Sequence, residues 1–304
     1  MFKIAVCIPT YKRPLLLEKL ILSLVDCKID KSVISEVDII VVDNDAMMTA
    51  ESTMSGLIDR FGNEHPMYYF SYPEKGLANV RNELLRRAFE LSPDYVAFID
   101  DDEYADPDWI NAFVNAAIRT NGDLIRGPVI SVFKEDVPDN LRQWFERPDY
   151  HNDQQIIRIA TNNLFIRVET LHRCQVWFDR RFNHTGGEDS FFGVCMAGKG
   201  AKIFWSSEAI VYENVPDSRA NIRWIAKRYY NGANKYAYIL RIEKNYRELI
   251  KKMAISIFYV LIGSIGLILL PFHCKKRYFG ILKLSEGCGG LAGIISLRYN
   301  EYLH

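Results

Sequence analysis

Over the first 130 residues, short apolar runs alternate with stretches of helical periodicity. KIAVCIP (3–9) is the first run, and Pro14 opens a helix predicted over 14–26 with Leu16, Leu20 and Leu24 at helical spacing. VDIIVVD (37–43) reads as a buried strand with a helix near 47–61 behind it. MYYFSY (67–72) precedes a helix over 77–91, and YVAFID (95–100) is the next strand. Pro107 is expected to open a helix across DPDWINAFVNAAIRT, and DLIRGPVISVF (123–133) to form a fifth strand. Strands that are apolar throughout and separated by helices indicate an α/β fold, with helices covering both faces of a mostly parallel sheet.

The C-terminal pattern differs. MAISIFYVLIGSIGLILL (253–270) is eighteen residues without a charge, bounded by Lys251-Lys252 and by Lys275-Lys276-Arg277. As a helix it would be about 27 Å long, close to the thickness of a hydrocarbon core. Membrane association is expected, with spanning and interfacial placement both open. The following YFGILKLSEGCGGLAGIISLRY has five glycines, Lys283 and Glu286, and reads as interfacial.

Composition sharpens this division. The formal charge is zero, yet residues 1–218 carry 23 Lys and Arg against 34 Asp and Glu, while 219–304 carry 15 against 4. Within 219–252, ten basic residues are interleaved with Trp224, Tyr229, Tyr230, Tyr236, Tyr238 and Tyr246. Such a stretch suits an anionic headgroup surface, and the adjoining apolar segment favours lipid over nucleic acid as partner. The six cysteines contain no CxxC pair, so reduced structural thiols are expected in place of a zinc knuckle. The predicted organisation is an α/β body over 1–218 joined to a membrane-associated region over 219–304.

Open α/β sheets bind ligands beyond the carboxyl ends of their strands. Four consecutive strands end in polar groups: Thr10-Tyr11-Lys12-Arg13, Asp43-Asn44-Asp45, Lys75-Gly76, and Asp100-Asp101-Asp102. Strand alternation predicts that Asp100 and Asp102 lean to one side and Asp101 to the other. Two converging carboxylates can hold Mg²⁺ or Mn²⁺ that also binds phosphate oxygens. Asp43 either accepts a hydrogen bond from a base or ribose or caps the next turn. Arg81 and Asn82 start a helix at the same crevice. Further on, HTGGEDSFF (184–192) sets Glu188 and Asp189 at a helix start, where an acid serves as a cap or as a general base. Asn162, Asn163 and Trp177 fall where an acceptor would be met, with core packing preferred for Trp177.

In this order, CIPTYKRP, VVDND, KGLANVRN, FIDDDE with DPDW, and TGGED resemble the motifs of glycosyltransferase family 2, the inverting transferases of the GT-A type. The resemblance covers about residues 3–230. It implies a GT-A, Rossmann-like catalytic domain over 1–218, with a nucleotide-binding half over about 1–130 and an acceptor half over 131–218, a nucleotide-sugar donor that is usually a UDP-sugar, and a divalent metal. It would set Pro9, Thr10, Tyr11, Arg13 and Asp43 around the nucleoside. Lys75, Gly76, Arg81 and Asn82 would lie toward ribose and phosphate. Asp100 and Asp101 would lie on the nucleotide side, Asp102 (with Asp100) at the metal, and Asp189, flanked by Glu188, would be the base.

Two departures qualify the resemblance. Arg223-Trp224 matches the end of the QxxRW motif of processive synthases, but Ala220 stands at the Gln position, favouring addition of a single sugar. No histidine stands at the end of AIVYE to complete a metal site; Glu213 stands there, as a third ligand or a structural acid. The implied setting is the cytoplasmic face of a bacterial inner membrane, with a polyprenyl-diphosphate-linked saccharide as acceptor in surface-polysaccharide synthesis. The alternative is an inactive, membrane-attached sugar-binding or scaffolding protein of the same fold.

Overall fold

The computed structural model describes residues 1–134, 137–146, 149–268 and 277–298. The expected flank Lys275-Lys276, Cys274, and Leu269-Leu270 at the end of the apolar run lie outside these residues. The chain divides into two compact units. The first comprises residues 1–132, 146–183 and 188–214, and the second 133–145, 184–187 and 215–304.

In the first unit the chain runs β1 (Phe2–Thr10), α1 (Pro14–Val25), β2 (Ile34–Asp43), α2 (Glu51–Phe61), β3 (Met67–Ser71), α3 (Leu77–Glu90) and β4 (Tyr95–Ile99). β5 (Glu103–Ala105), α4 (Trp109–Thr120), β6 (Leu124–Arg126) and β7 (Val129–Val132) follow. The short helix α5 (Asp139–Arg142) belongs to the second unit. The first resumes with β8 (Gln155–Ile156), β9 (Asn163–Arg167), α6 (Val168–Cys174), a 3₁₀ turn (Arg180–Phe182), α7 (Glu188–Gly198), β10 (Ile203–Trp205) and β11 (Val211–Asn214).

The main sheet has the order β3-β2-β1-β4-β9-β6-β10-β8, and β5-β11-β7 form a second sheet. β1 to β4 are mutually parallel where they pair, while β9 runs antiparallel to both β4 and β6. The apolar runs feed two cores. Ile4, Val6 and Ile8 of β1 join Leu17, Leu20 and Trp109 on one face. Ala5 and Cys7 join Leu84, Leu85 and Phe192 on the other. β2 and β4 alternate in the same way, which is why their sequences carry no polar stripe.

Two expectations are corrected. The predicted fifth strand is two strands, broken at Gly127-Pro128, with β6 in the main sheet and β7 in the small one. A Cβ at Gly127 would sit 2.1 Å from the Ala209 carbonyl oxygen, so the chain crosses there on a glycine. The helix assigned to Pro107 starts at Trp109. Asp106 holds the preceding turn, taking the Asp108 N–H on its side chain (3.1 Å) and the Trp109 N–H on its carbonyl (3.0 Å).

The second unit is dominated by α8 (Ile222–Ile242), α9 (Tyr246–Ile268) and α10 (Arg277–Ile294). Asn221 caps α8 by accepting the Trp224 N–H at 3.0 Å. The glycines of α10 allow close packing on both neighbours. A Cβ at Gly287 would lie 2.6 Å from the Ser256 carbonyl oxygen of α9, and one at Gly289 would lie 2.1 Å from that of Tyr230 in α8. α9 alone among the described helices is long and apolar enough to cross a membrane, and only 11% of its apolar window is buried. Ile257, Leu261, Ile265 and Ile268 are exposed along it. At about 34 Å it exceeds a hydrocarbon core of about 30 Å.

The glycine contacts generate a prediction. Gly287→Val should destabilise the second unit by about 1–3 kcal/mol or more, because backbone must shift to admit the side chain. Gly56→Ala, where a Cβ meets nothing within 4 Å, should instead stabilise by up to about 1 kcal/mol. Thermal unfolding and limited proteolysis of the two variants would test the contrast.

Candidate active site

The strand register sets the rim. Thr10 is level with Asp43 and Asp43 with Ser71, while Cys7 pairs with Phe98. Continued three residues, that register brings Asp101 opposite Thr10, whose Oγ1 donates to Asp101 Oδ2 at 2.8 Å. Arg13 reaches the same group, its guanidinium 2.9 Å from Asp101 Oδ1 and 3.2 Å from Asp102 Oδ2.

The expected alternation of the acidic triplet is therefore not observed. β4 ends at Ile99 and the chain turns at 101–102, so Asp101 and Asp102 share Arg13. Asp100 instead receives Arg81 at 3.3 Å. The side-to-side rule of a strand lapses once the pleat ends.

Arg81 is buried and joins two elements. It binds Asp100 at the end of β4 and Glu188 at the start of α7. Glu188 is buried, whereas Asp189 is partly exposed. Asp189 accepts the Ser190 N–H on Oδ1 at 2.6 Å. Gly186 and Gly187, at φ 69° and 96°, supply the left-handed turn that precedes this helix.

Around Asp100 the negative charge is dense. Burial raises the pKa of its carboxyl; Arg81 opposes this, and the Asp102, Asp189 and Glu213 charges push it further up. Glu103 and Glu213 face each other across β5 and β11. Glu103 accepts the Asp100 N–H at 3.0 Å and the Asn162 side-chain amide at 2.9 Å. Asn163, by contrast, is structural: it accepts the Trp109 indole N–H and donates to the carbonyls of Pro128 and Ala209.

The other predicted residues divide. Tyr11 stands at the rim with Lys12 Nζ 5.3 Å and Lys75 Nζ 5.4 Å from its ring centroid, and the Lys75 hydrogen bond lowers its pKa. Pro9 is half-buried within β1. Gly76 has φ 146°, and a Cβ there would lie 2.3 Å from Asn183 Cγ. Asp43 is fully buried, accepting the Asp45 and Ala50 N–H groups and the Tyr69 hydroxyl at 2.9–3.1 Å. It therefore takes the turn-capping role and builds the floor from beneath. Asn82 turns away from Arg81 and exchanges two 2.8 Å bonds with the Phe178 backbone.

Three positioning residues were not singled out from sequence. Asn44 donates to the Tyr72 and Glu74 carbonyls and accepts the Gly76 N–H at 3.0 Å, fixing the Lys75 loop. Asn183 accepts the Asn79 N–H at 3.1 Å, and Glu103 holds the acidic turn. Asn44, inside a polar strand-end cluster, and Glu103, at the end of FIDDDE, carried a sequence signal; Asn183 carried none.

The rim thus gathers basic side chains, Arg13 and Lys75, and a cluster of carboxylates beside the start of α7. A model of "Glycosyl transferase family 2" matches residues 5–186. The chain belongs to glycosyltransferase family 2. It is 30% identical over 243 residues to the succinoglycan biosynthesis protein ExoM of Rhizobium meliloti (strain 1021), covering 78% of this chain and 74% of that protein. Among solved structures, the Pyrobaculum calidifontis mannosyltransferase PcManGT, with GDP-Man and Mn²⁺, is similar at TM-score 0.65 and 14% identity, covering 95% of this chain and 86% of that one. S. aureus TarS 1–349, with UDP-GlcNAc, is similar at TM-score 0.55 and 16% identity, covering 93% and 90%. These likenesses establish the GT-A fold for the transferase.

Two stability predictions follow from the charge pattern. Arg81→Met should cost about 3–5 kcal/mol at neutral pH, because it leaves buried carboxylates unpaired. Part of that loss should return on acidification as Asp100 takes up a proton. Burial, opposed by Arg13, pushes the Asp101 carboxyl up to about 6 from 3.8. Its contribution to stability is therefore complete below about pH 4 and lost as pH rises through 6. The stability of the wild type relative to Asp101→Asn should fall across that window; urea unfolding at successive pH values would detect a flat difference if the assignment is wrong.

Proposed function

We propose that this transferase moves one sugar from a nucleotide-sugar, in the first instance a UDP-sugar, to a lipid-linked saccharide, with inversion at the anomeric carbon. The observation that carries the reading is the buried Arg81, which binds both Asp100, in the acidic turn with the candidate metal ligand Asp102, and Glu188, next to the candidate base Asp189.

A divalent cation fits this crevice by its donor chemistry, since hard carboxylate oxygens there outnumber the guanidinium groups of Arg13 and Arg81. Among the described residues no three His, Cys, Asp or Glu side chains form a metal cage. Asp102 and Asp100 would therefore hold Mg²⁺ or Mn²⁺ jointly with substrate phosphate oxygens. When bound, the ion offsets charge developing on the leaving diphosphate.

The chain's own groups supply the rest. Tyr11 offers a ring at the nucleoside side, and Lys75 and Arg13 add positive charge beside the phosphates. Asp189 Oδ2 takes the proton from the acceptor hydroxyl as its oxygen attacks the sugar carbon. Arg81, bound to Asp100 and Glu188, keeps the base helix and the acidic turn in fixed relation. Attack from the face opposite the diphosphate inverts the centre in one displacement. The exposed aliphatic face of α9 supports a place at a membrane surface, where a polyprenyl-diphosphate-linked acceptor would be met. The ExoM likeness supports bacterial surface-polysaccharide synthesis, and the cytoplasmic face of the inner membrane is the setting proposed for it.

Asp189→Asn should lower transfer by about 10²–10⁴-fold while donor binding persists. Asp102→Asn should weaken metal-dependent donor binding. Mass measurement on extracted lipid-linked oligosaccharides should show an increment of one sugar; unchanged turnover in both variants would overturn the mechanism. Leu261→Arg with Ile265→Arg should release the protein from liposomes in flotation, and undiminished flotation would refute anchoring through α9.

A further inference from the structure

The face of α3 turned away from the reaction centre carries a second candidate site. Asn79, Asn82, Glu83 and Arg86 follow one another at helical spacing and line a cavity of about 380 Å³. Arg81, on the other side of the helix, points to Asp100 and Glu188. A second cavity of about 420 Å³ lies beside the first, and Trp177 lines both. Each is within the range of small-ligand sites, about 300–1,000 Å³.

Trp177 was expected to pack in the core, yet it is 48% exposed. Its ring is held edge-on by Phe89 at 5.9 Å, and Phe89 in turn lies against His172 at 4.8 Å. The segment is pinned by the paired bonds between Asn82 and the Phe178 backbone. An exposed indole held so firmly is a platform. Beside it Asn79 also lines the cavity, and its side-chain amide donates to the Lys75 carbonyl at 3.5 Å.

The charges select among ligands. Glu83 and Glu90 engage Arg86, but among the described residues the Arg180 side chain at the first cavity makes no hydrogen bond or ion pair. An exposed aromatic face and a guanidinium that no described carboxylate engages together suit a pyranose ring followed by a carboxylate. We propose that this groove binds a saccharide chain carrying acidic substituents, outside the reaction centre, with one ring on Trp177 and a carboxylate at Arg180. The proposal rests on the reading of the chain as a transferase acting on saccharides, and assigns it a grip on the chain remote from the new bond.

The test uses full-length protein, with tetragalacturonate and cellotetraose as probes, read by calorimetry and tryptophan fluorescence. Tetragalacturonate should bind about tenfold more tightly than cellotetraose, and Arg180→Ala should remove that preference. Trp177→Ala should weaken both by about tenfold. The proposal is overturned if neither saccharide binds, if both bind equally to the wild type, if the two variants bind as the wild type does, or if UDP competes with the saccharide. Donor binding is measured on the same samples. Its loss with saccharide binding retained would count against the transferase reading and leave the groove standing, and the reverse would remove the groove alone.

Discussion

Negative charge concentrated at one end of a parallel sheet is the constraint around which the transferase is organised. Asp100, Asp102, Glu103, Asp189 and Glu213 approach one another there, and like charges in a partly desolvated site repel strongly. Arg13 and Arg81 relieve part of that repulsion from opposite sides. Arg13 ties both acids of one turn to the end of the first strand, and Arg81 binds acids drawn from two elements, so the same contacts that offset charge also fix geometry. What they leave uncompensated is the attraction for a cation and its phosphates.

The rest of the first unit serves this rim. Register along β1, β2 and β3 makes their ends level, and the two cores fasten α1 and α3 behind those ends. Side chains such as Asp43 and Asn44 shape the loops by saturating backbone groups. Their chemistry is that of scaffolding, although their position in sequence is indistinguishable from that of ligand-binding residues. The second unit applies a different principle. Its glycines bring helices close enough for backbone contact, leaving the aliphatic side chains of α9 facing outward. Close small-residue packing is the arrangement that holds helices together where hydrophobic burial gives no drive, as in lipid.

Much of this was legible before any coordinates. Apolar runs without a polar stripe can only be central strands, because each face must meet a helix layer, and the positions of the strand ends follow directly. Order and spacing of the motifs brought Thr10, Arg13, Arg81, the acidic triplet and Asp189 together as a set, and Tyr246–Ile268 contains most of the apolar run read from sequence. Those signals are local: periodicity, proline and glycine positions, and clusters of charge within a few residues.

What the tertiary structure alone decided concerns partners distant in sequence. Which aspartate of the triplet meets which arginine depends on where the pleat stops, and β4 stops at Ile99, one residue before the alternation would have mattered. Glu103 and Asn183 acquire their roles from neighbours 59 and 104 residues away. Trp177 reads as core by composition yet stands at the surface, since burial is a property of the whole packing and not of a residue type. Sequence determined which chemistry is present; the fold decided which groups neutralise one another and which remain for a ligand, because electrostatic pairing is set by distance in space.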